Sequence, residues 1–152
     1  MATLHLTKVP APGSAAAEEI ALSAWRDGVR PEAGSFALVI PNTEDVGGLG
    51  EAIAAFASVI LEFPDFKDGR AYSQARVLRE RLGFRGEIRA RGAIVPDQAL
   101  FMMRAGFTVL EIAERDQKAF VEALGAYTVF YQSAADAAVP AHARRARLRE
   151  AA

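Results

Sequence analysis

FALVIPNTEDVGGLGEAIAAFASVILEFP, residues 36–64, decides how the chain is read. Phe36-Ala-Leu-Val-Ile40 is a continuous apolar run stopped by Pro41, and Ser58-Val-Ile-Leu-Glu-Phe63 is another stopped by Pro64. Runs of this length, rich in branched side chains and apolar on both faces, predict strands buried in a parallel sheet. Between them, Asn42 to Gly50 is a polar, glycine-rich turn and Leu49 to Ala57 reads as a helix. The stretch is therefore one strand–helix–strand unit.

The same alternation continues downstream. Tyr72, Ala75, Leu78, Arg79 and Leu82 recur at helical spacing, with Gly83 as a natural stop. Glu87-Ile-Arg-Ala90 reads as a short third strand. Pro96 fits the first position of a helix that carries Leu100, Met102 and Met103 and ends at Gly106. Thr108 to Ile112 reads as a fourth strand. Asp116 opens a helix through Phe120 and Leu124, with Gly125 at its end. Tyr127 to Tyr131 reads as a fifth, edge strand.

The expected class is α/β: a single domain of repeated βα units around a mainly parallel sheet of four to five strands. Short linkers and right-handed crossovers follow. Two closures stay open, a half-TIM-barrel-like sheet and an open three-layer sheet. Residues 35–132 form the expected core. Residues 1–34 read as a peripheral extension, with a short strand at Leu4 and Leu6, a loop at Pro10, Pro12, Gly13 and Ser14, and a helix from Glu18 to Trp25. Residues 133–152 read as a basic tail, frayed or disordered, carrying Arg144, Arg145, Arg147 and Arg149.

Composition narrows the chemistry. The chain has 152 residues, 51% of them apolar, with a net charge of −1, so no general attraction to nucleic acid or to an acidic membrane is expected. There are no cysteines, which excludes thiol redox chemistry and cysteine-ligated clusters. The only histidines, His5 and His142, lie near opposite ends, so neither a metal site nor a cofactor is expected. No run reaches the ~20 apolar residues of a membrane span, and the N-terminus lacks a signal-peptide layout. A cytoplasmic location is the default.

Several motifs are distinctive. They are Phe63-Pro-Asp-Phe-Lys-Asp-Gly-Arg70, Tyr72-Ser-Gln-Ala-Arg-Val-Leu-Arg-Glu-Arg-Leu-Gly83, Gly86-Glu-Ile-Arg-Ala90 with Gly92, Asp97-Gln98, Gly106-Phe107 and Tyr131-Gln132. Together they resemble the bacterial family called domain of unknown function 934, from about Phe36 to Gln132. Members of that family are typically encoded beside the sulfite (or nitrite) reductase haemoprotein of assimilatory sulfate reduction, and carry the label of probable oxidoreductases. The resemblance implies a place in sulfite reduction; together with the lack of redox-capable side-chain sets and of a cofactor motif, it leads to the expectation of an accessory or partner protein, binding rather than catalytic, with that haemoprotein as its partner. The chain departs from the family pattern at Ala71, where Gly is usual, at Arg91, where a small apolar residue is usual, and at Ala105, where Cys is common.

Ligands of parallel α/β sheets bind at the carboxyl ends of the strands. Those ends and the loops after them supply the candidate site: Asp65, Asp68, Arg70, Tyr72, Ser73, Arg89, Arg91, Asp97 and Gln98. Arg70 suits an oxyanion clamp, so a small anion is the expected ligand. The competing structural reading makes Asp68-Gly69 a turn, with Gly69 at positive φ and Arg70 paired to a carboxylate. Arg89 and Arg91 share one face of their strand, and a salt-bridge network with Glu62 and Glu111 would satisfy them. The alternative function is a small oxidoreductase or other enzyme acting on an anionic substrate at these strand ends. A homodimer is expected, because the aromatic edge strand at Tyr127 to Tyr131 lacks blunting charges.

Overall fold

A computed structural model describes residues 1–6, 18–30, 36–135 and 138–150. The loop predicted at Pro10 to Ser14 lies outside them. The chain runs through β1 (Ala2–His5), β2 (Glu18–Ala21), α1 (Leu22–Arg26), β3 (Phe36–Ile40), β4 (Ser58–Phe63), α2 (Arg70–Arg76), β5 (Glu87–Gly92), α3 (Ala99–Ala105), β6 (Val109–Ile112), α4 (Gln117–Leu124) and α5 (Ala141–Glu150). The two apolar runs are the central strands β3 and β4. A 3-10 segment, Gly47–Ala55, joins them and is kinked at Gly50, which takes positive φ.

Six strands form one sheet in the order β1-β6-β5-β4-β3-β2. Strands β2 to β6 are mutually parallel and lie side by side in chain order; β1 pairs antiparallel with β6. The fold is α/β with a mostly parallel sheet, as the alternation predicted. When every parallel connection advances in the same direction, right-handed crossovers place the helices on one face. The core shows this. Leu38, Ile40, Val59, Leu61, Phe63, Ile88, Ala90, Leu110 and Ile112 share one face of the sheet and one cluster with Ala71, Ala75 and Leu78 of the second helical segment, Met102 of α3 and Phe120 of α4.

The opposite face is different in kind. Alternation sends Ser58, Ile60 and Glu62 of β4, Glu87, Arg89 and Arg91 of β5, and Val109 and Glu111 of β6 to that side. A contact across it reports the sheet's shape. Glu19 of β2 stands three strands from β5, roughly 14 Å on a flat sheet. Yet its Oε1 accepts a hydrogen bond from Arg91 Nη2 at 2.6 Å. The contact fits a sheet that curls with this charged face on the inside of the curve.

Three expectations change. Parts of the N-terminal extension are strands of the sheet, not a peripheral addition: β1 and β2 are its two edges. Glu18 to Ala21, read as helix, pairs with β3 instead, because the backbone donors and acceptors of β3 need a partner. Tyr127 to Tyr131 forms no strand, since β1 already occupies the free edge of β6. The basic tail carries the helix α5.

Candidate functional site

Two clefts open at the carboxyl ends of the parallel strands. The first, of 510 Å³, is lined by Asn42 and Thr43 after β3, Glu62 to Pro64 at the end of β4, Arg70 at the start of α2, and Arg91 and Gly92 at the end of β5. The second, of 500 Å³, lies between β5 and β6 and includes Arg91, Gly92, Glu111 and Asp116. Arg91 and Gly92 form the wall between them.

Local sequence explains the geometry. Gly92 takes φ +113°, and a side chain there would run into the Phe63 carbonyl of the neighbouring strand. That close approach lets Phe63 O accept from Ala93 N–H at 2.7 Å and turns the chain away from the sheet. Gln74, buried on α2, donates from Nε2 to the carbonyls of Pro41 (2.9 Å) and Glu44 (2.8 Å). It holds the loop that carries Asn42 and Thr43 into the first cleft. No periodicity or motif singles Gln74 out, because its partners are main-chain atoms 30 and 33 positions away.

Arg91 is held between two carboxylates. Its Nε donates to Glu111 Oε2 at 2.6 Å, and its Nη1 and Nη2 reach both oxygens of Glu19 at 2.8 and 2.6 Å. These bonds, to Glu19 and then to Glu111, raise the affinity of Arg91 for its proton, and they hold the Glu19 carboxyl below its ordinary range. Arg89 Nε lies 3.7 Å from Glu111 Oε1. Of the predicted network of Arg89 and Arg91 with Glu62 and Glu111, the Glu111 half is present, while Glu19, which β2 brings in, takes the place expected of Glu62. Arg70 makes a forked pair with Asp68, its Nη2 donating to Oδ2 at 2.6 Å. That side chain and the Arg70 backbone N–H hold the Asp68 carboxyl far below the usual carboxylate range. The guanidinium groups of both Arg70 and Arg91 therefore enter the first cleft already neutralised.

The remaining candidates separate. Asp65 accepts from Lys67 N–H at 2.9 Å and shapes its own loop. Gln98 donates to Phe66 O at 2.6 Å and accepts from Val95 N–H, tying the start of α3 to that loop. Tyr72 packs edge-on against Phe63 and Phe107, with ring centres 5.6 and 6.1 Å away, and burial pushes its hydroxyl up to about 12. It is a core residue. Ser73 and Asp97 are exposed and line neither cleft. Gly69 has φ −83°, so the Asp68-Gly69 pair needs no glycine-only conformation, contrary to the turn reading. At the opposite end of the curved face, Glu87 is buried with neither carboxylate oxygen hydrogen-bonded, and His5 Nδ1 is 3.9 Å from Oε1.

A family model described as bacterial protein of unknown function (DUF934) matches residues 37–142. The chain belongs to this family. The match covers β3 through the start of α5, so the first cleft and the Arg91 wall lie inside the DUF934 region, while Glu19 comes from outside it. No curated protein and no solved structure matches this DUF934 chain. Among the described residues no three His, Asp or Glu side chains are grouped to hold a metal ion, and no helix is long and apolar enough to cross a membrane.

Proposed function

We propose that the protein is a cytoplasmic accessory of assimilatory sulfite reduction, acting by binding a partner, the sulfite or nitrite reductase haemoprotein, and not by turning over a substrate. Membership of the DUF934 family, whose members are typically encoded beside that haemoprotein, supports the pathway. The observation that carries binding over catalysis is the state of the strand-end arginines. Arg70 and Arg91 are each matched to carboxylates of the same chain, which leaves neither strand-end arginine of the first cleft free for oxyanion stabilisation. Affinity capture from native extract with the tagged full chain, read by mass spectrometry, tests this. Enrichment of the haemoprotein is expected, and its absence from the eluate overturns the partner.

One observation favours a second reading, a small enzyme acting on an anion. The first cleft has the volume of a small-molecule site and sits where parallel sheets bind ligands. Turnover of a small anionic substrate by the isolated chain, abolished in Arg70→Ala, would establish that reading.

A further inference from the structure

Helix α5, Ala141–Glu150, has no evident reason to exist within this molecule. It carries no apolar stripe, and from Arg144 to Arg149 all its side chains are exposed. Ten residues are too few to hold a helix in water by propensity alone. The charges make matters worse. Arg144 and Arg147 are three apart, Arg145 and Arg149 four apart, so like charges stack on the helix surface. Arg144 reaches the Thr128 carbonyl at 3.5 Å, and no carboxylate of the described residues pairs with Arg145, Arg147 or Arg149. The helix is nevertheless fixed in place. Ala141 N–H donates to Phe130 O at 2.7 Å, and the strap bearing Phe130 is clamped by Arg104, which donates to Gln132 O at 2.6 Å and lies over the Phe130 ring at 3.8 Å. Beside this basic helix the strap exposes Tyr127, Val129 and Tyr131, the last at 81%, and α5 adds Leu148 at 72%.

We infer that α5 and the 127–131 strap form a docking surface for an acidic, partly apolar segment of a partner protein. The partner's carboxylates would cancel the repulsion along α5, and its apolar side chains would cover the tyrosines. Arginine and tyrosine side by side are the residues that anchor protein interfaces. Other polyanions fit less well. A nucleic-acid duplex would pair with the arginines through its phosphates but leave the exposed Val129 and Leu148 uncovered. A membrane-surface helix needs an apolar face, and α5 lacks one. Most of α5 lies past the family match while the strap lies within it, so the basic half of the surface is a property of this chain beyond the shared core. The inference rests on the reading that the protein works by binding, but not on which partner it binds.

The test measures fluorescence anisotropy of a labelled acidic peptide, Glu- and Asp-rich with interspersed Phe, against the full chain. Saturable binding is expected that weakens as salt is raised. It should fall at least roughly tenfold in the triple variant R145E/R147E/R149E, and by about fivefold in Tyr127→Ala/Tyr131→Ala. Arg→Gln versions of the same three positions, each checked by circular dichroism, repeat the charge test without reversing it. Absence of binding, tyrosine variants that bind like the parent, or tighter binding of a labelled RNA or of phosphatidylserine vesicles would each overturn the proposal. The purified haemoprotein, run in parallel, separates the two claims. Its failure to bind a chain that does bind the peptide removes the haemoprotein alone. Haemoprotein binding that is indifferent to all the α5 and strap variants removes the α5 surface alone.

Discussion

Arg79 shows how much one side chain does here without touching an acid. Its Nε donates to Gly106 O at 2.9 Å and its Nη1 to Phe84 O and Gly86 O, both at 2.8 Å. It ties the loop that follows its own helical segment to the end of α3. Burial, with Arg85 nearby, lowers its pKa to about 10, a cost that three main-chain acceptors offset. Arg79→Lys, with one nitrogen in place of the Nε and Nη1 donors, leaves at least one of those carbonyls without its charged donor and is expected to cost about 1–3 kcal/mol, read from urea midpoints. Glycines divide in the same way. Gly92 combines φ +113° with backbone contact, so Gly92→Ala is expected to lose about 2 kcal/mol or more. Gly69 has φ −83° and open space, so Gly69→Ala should be near neutral. A large loss in the second and none in the first would reverse the assignment of which glycine the site requires.

At the scale of elements, β2 is a weakly held edge strand. It has four residues, pairs with one neighbour, and buries Ile20. Its tie across the curved face is the Glu19–Arg91 pair. Because the folded Glu19 carboxyl titrates below its ordinary value of 4.5, its stabilisation is complete above that pH and is lost as the pH falls through the lower, folded value. Glu19→Gln should therefore lower the thermal midpoint at neutral pH, while wild type and variant converge in acid, below the folded Glu19 value. A constant difference between them at both pH values would show that Glu19 acts by packing and not by charge. Glu111 is buried and serves both Arg89 and Arg91, so Glu111→Gln should be the more damaging of the two acid substitutions.

Seen as a whole, the molecule is a curved sheet with helices outside and charged side chains inside. The homodimer proposed from the sequence loses its edge, because Tyr127 to Tyr131 is not a strand; β1 and β2 are the edges open to pairing. Light scattering that returns twice 16.3 kDa would show that one of these, or the strap, is used. Cutting the chain after Gln132 removes α5 and the Ala135 N–H bond to Arg104 O, but no residue of the core cluster. The truncated protein should therefore keep a cooperative melt within a few degrees of the parent.

The alternation of apolar runs with helical spacing was enough to establish the α/β class, four of the parallel strands and the glycine at the end of α3, since those features depend on neighbours along the chain. The pairing of Arg89 and Arg91 with Glu111 was readable too, because a strand's period of two places like-facing residues by counting. Gly69 misled because an Asp-Gly pair is compatible with several turns. What counting cannot reach is contact between distant segments. The use of β1 and β2 as sheet edges depends on which backbone donors and acceptors remain unpaired once the central strands have formed. The meeting of Glu19 with Arg91 depends on how far the sheet curls, and the grip of Gln74 and Arg79 on main-chain carbonyls depends on loops brought together by folding. Local periodicity selects elements; only the closed sheet, with every buried polar group needing a partner, decides which of their side chains meet.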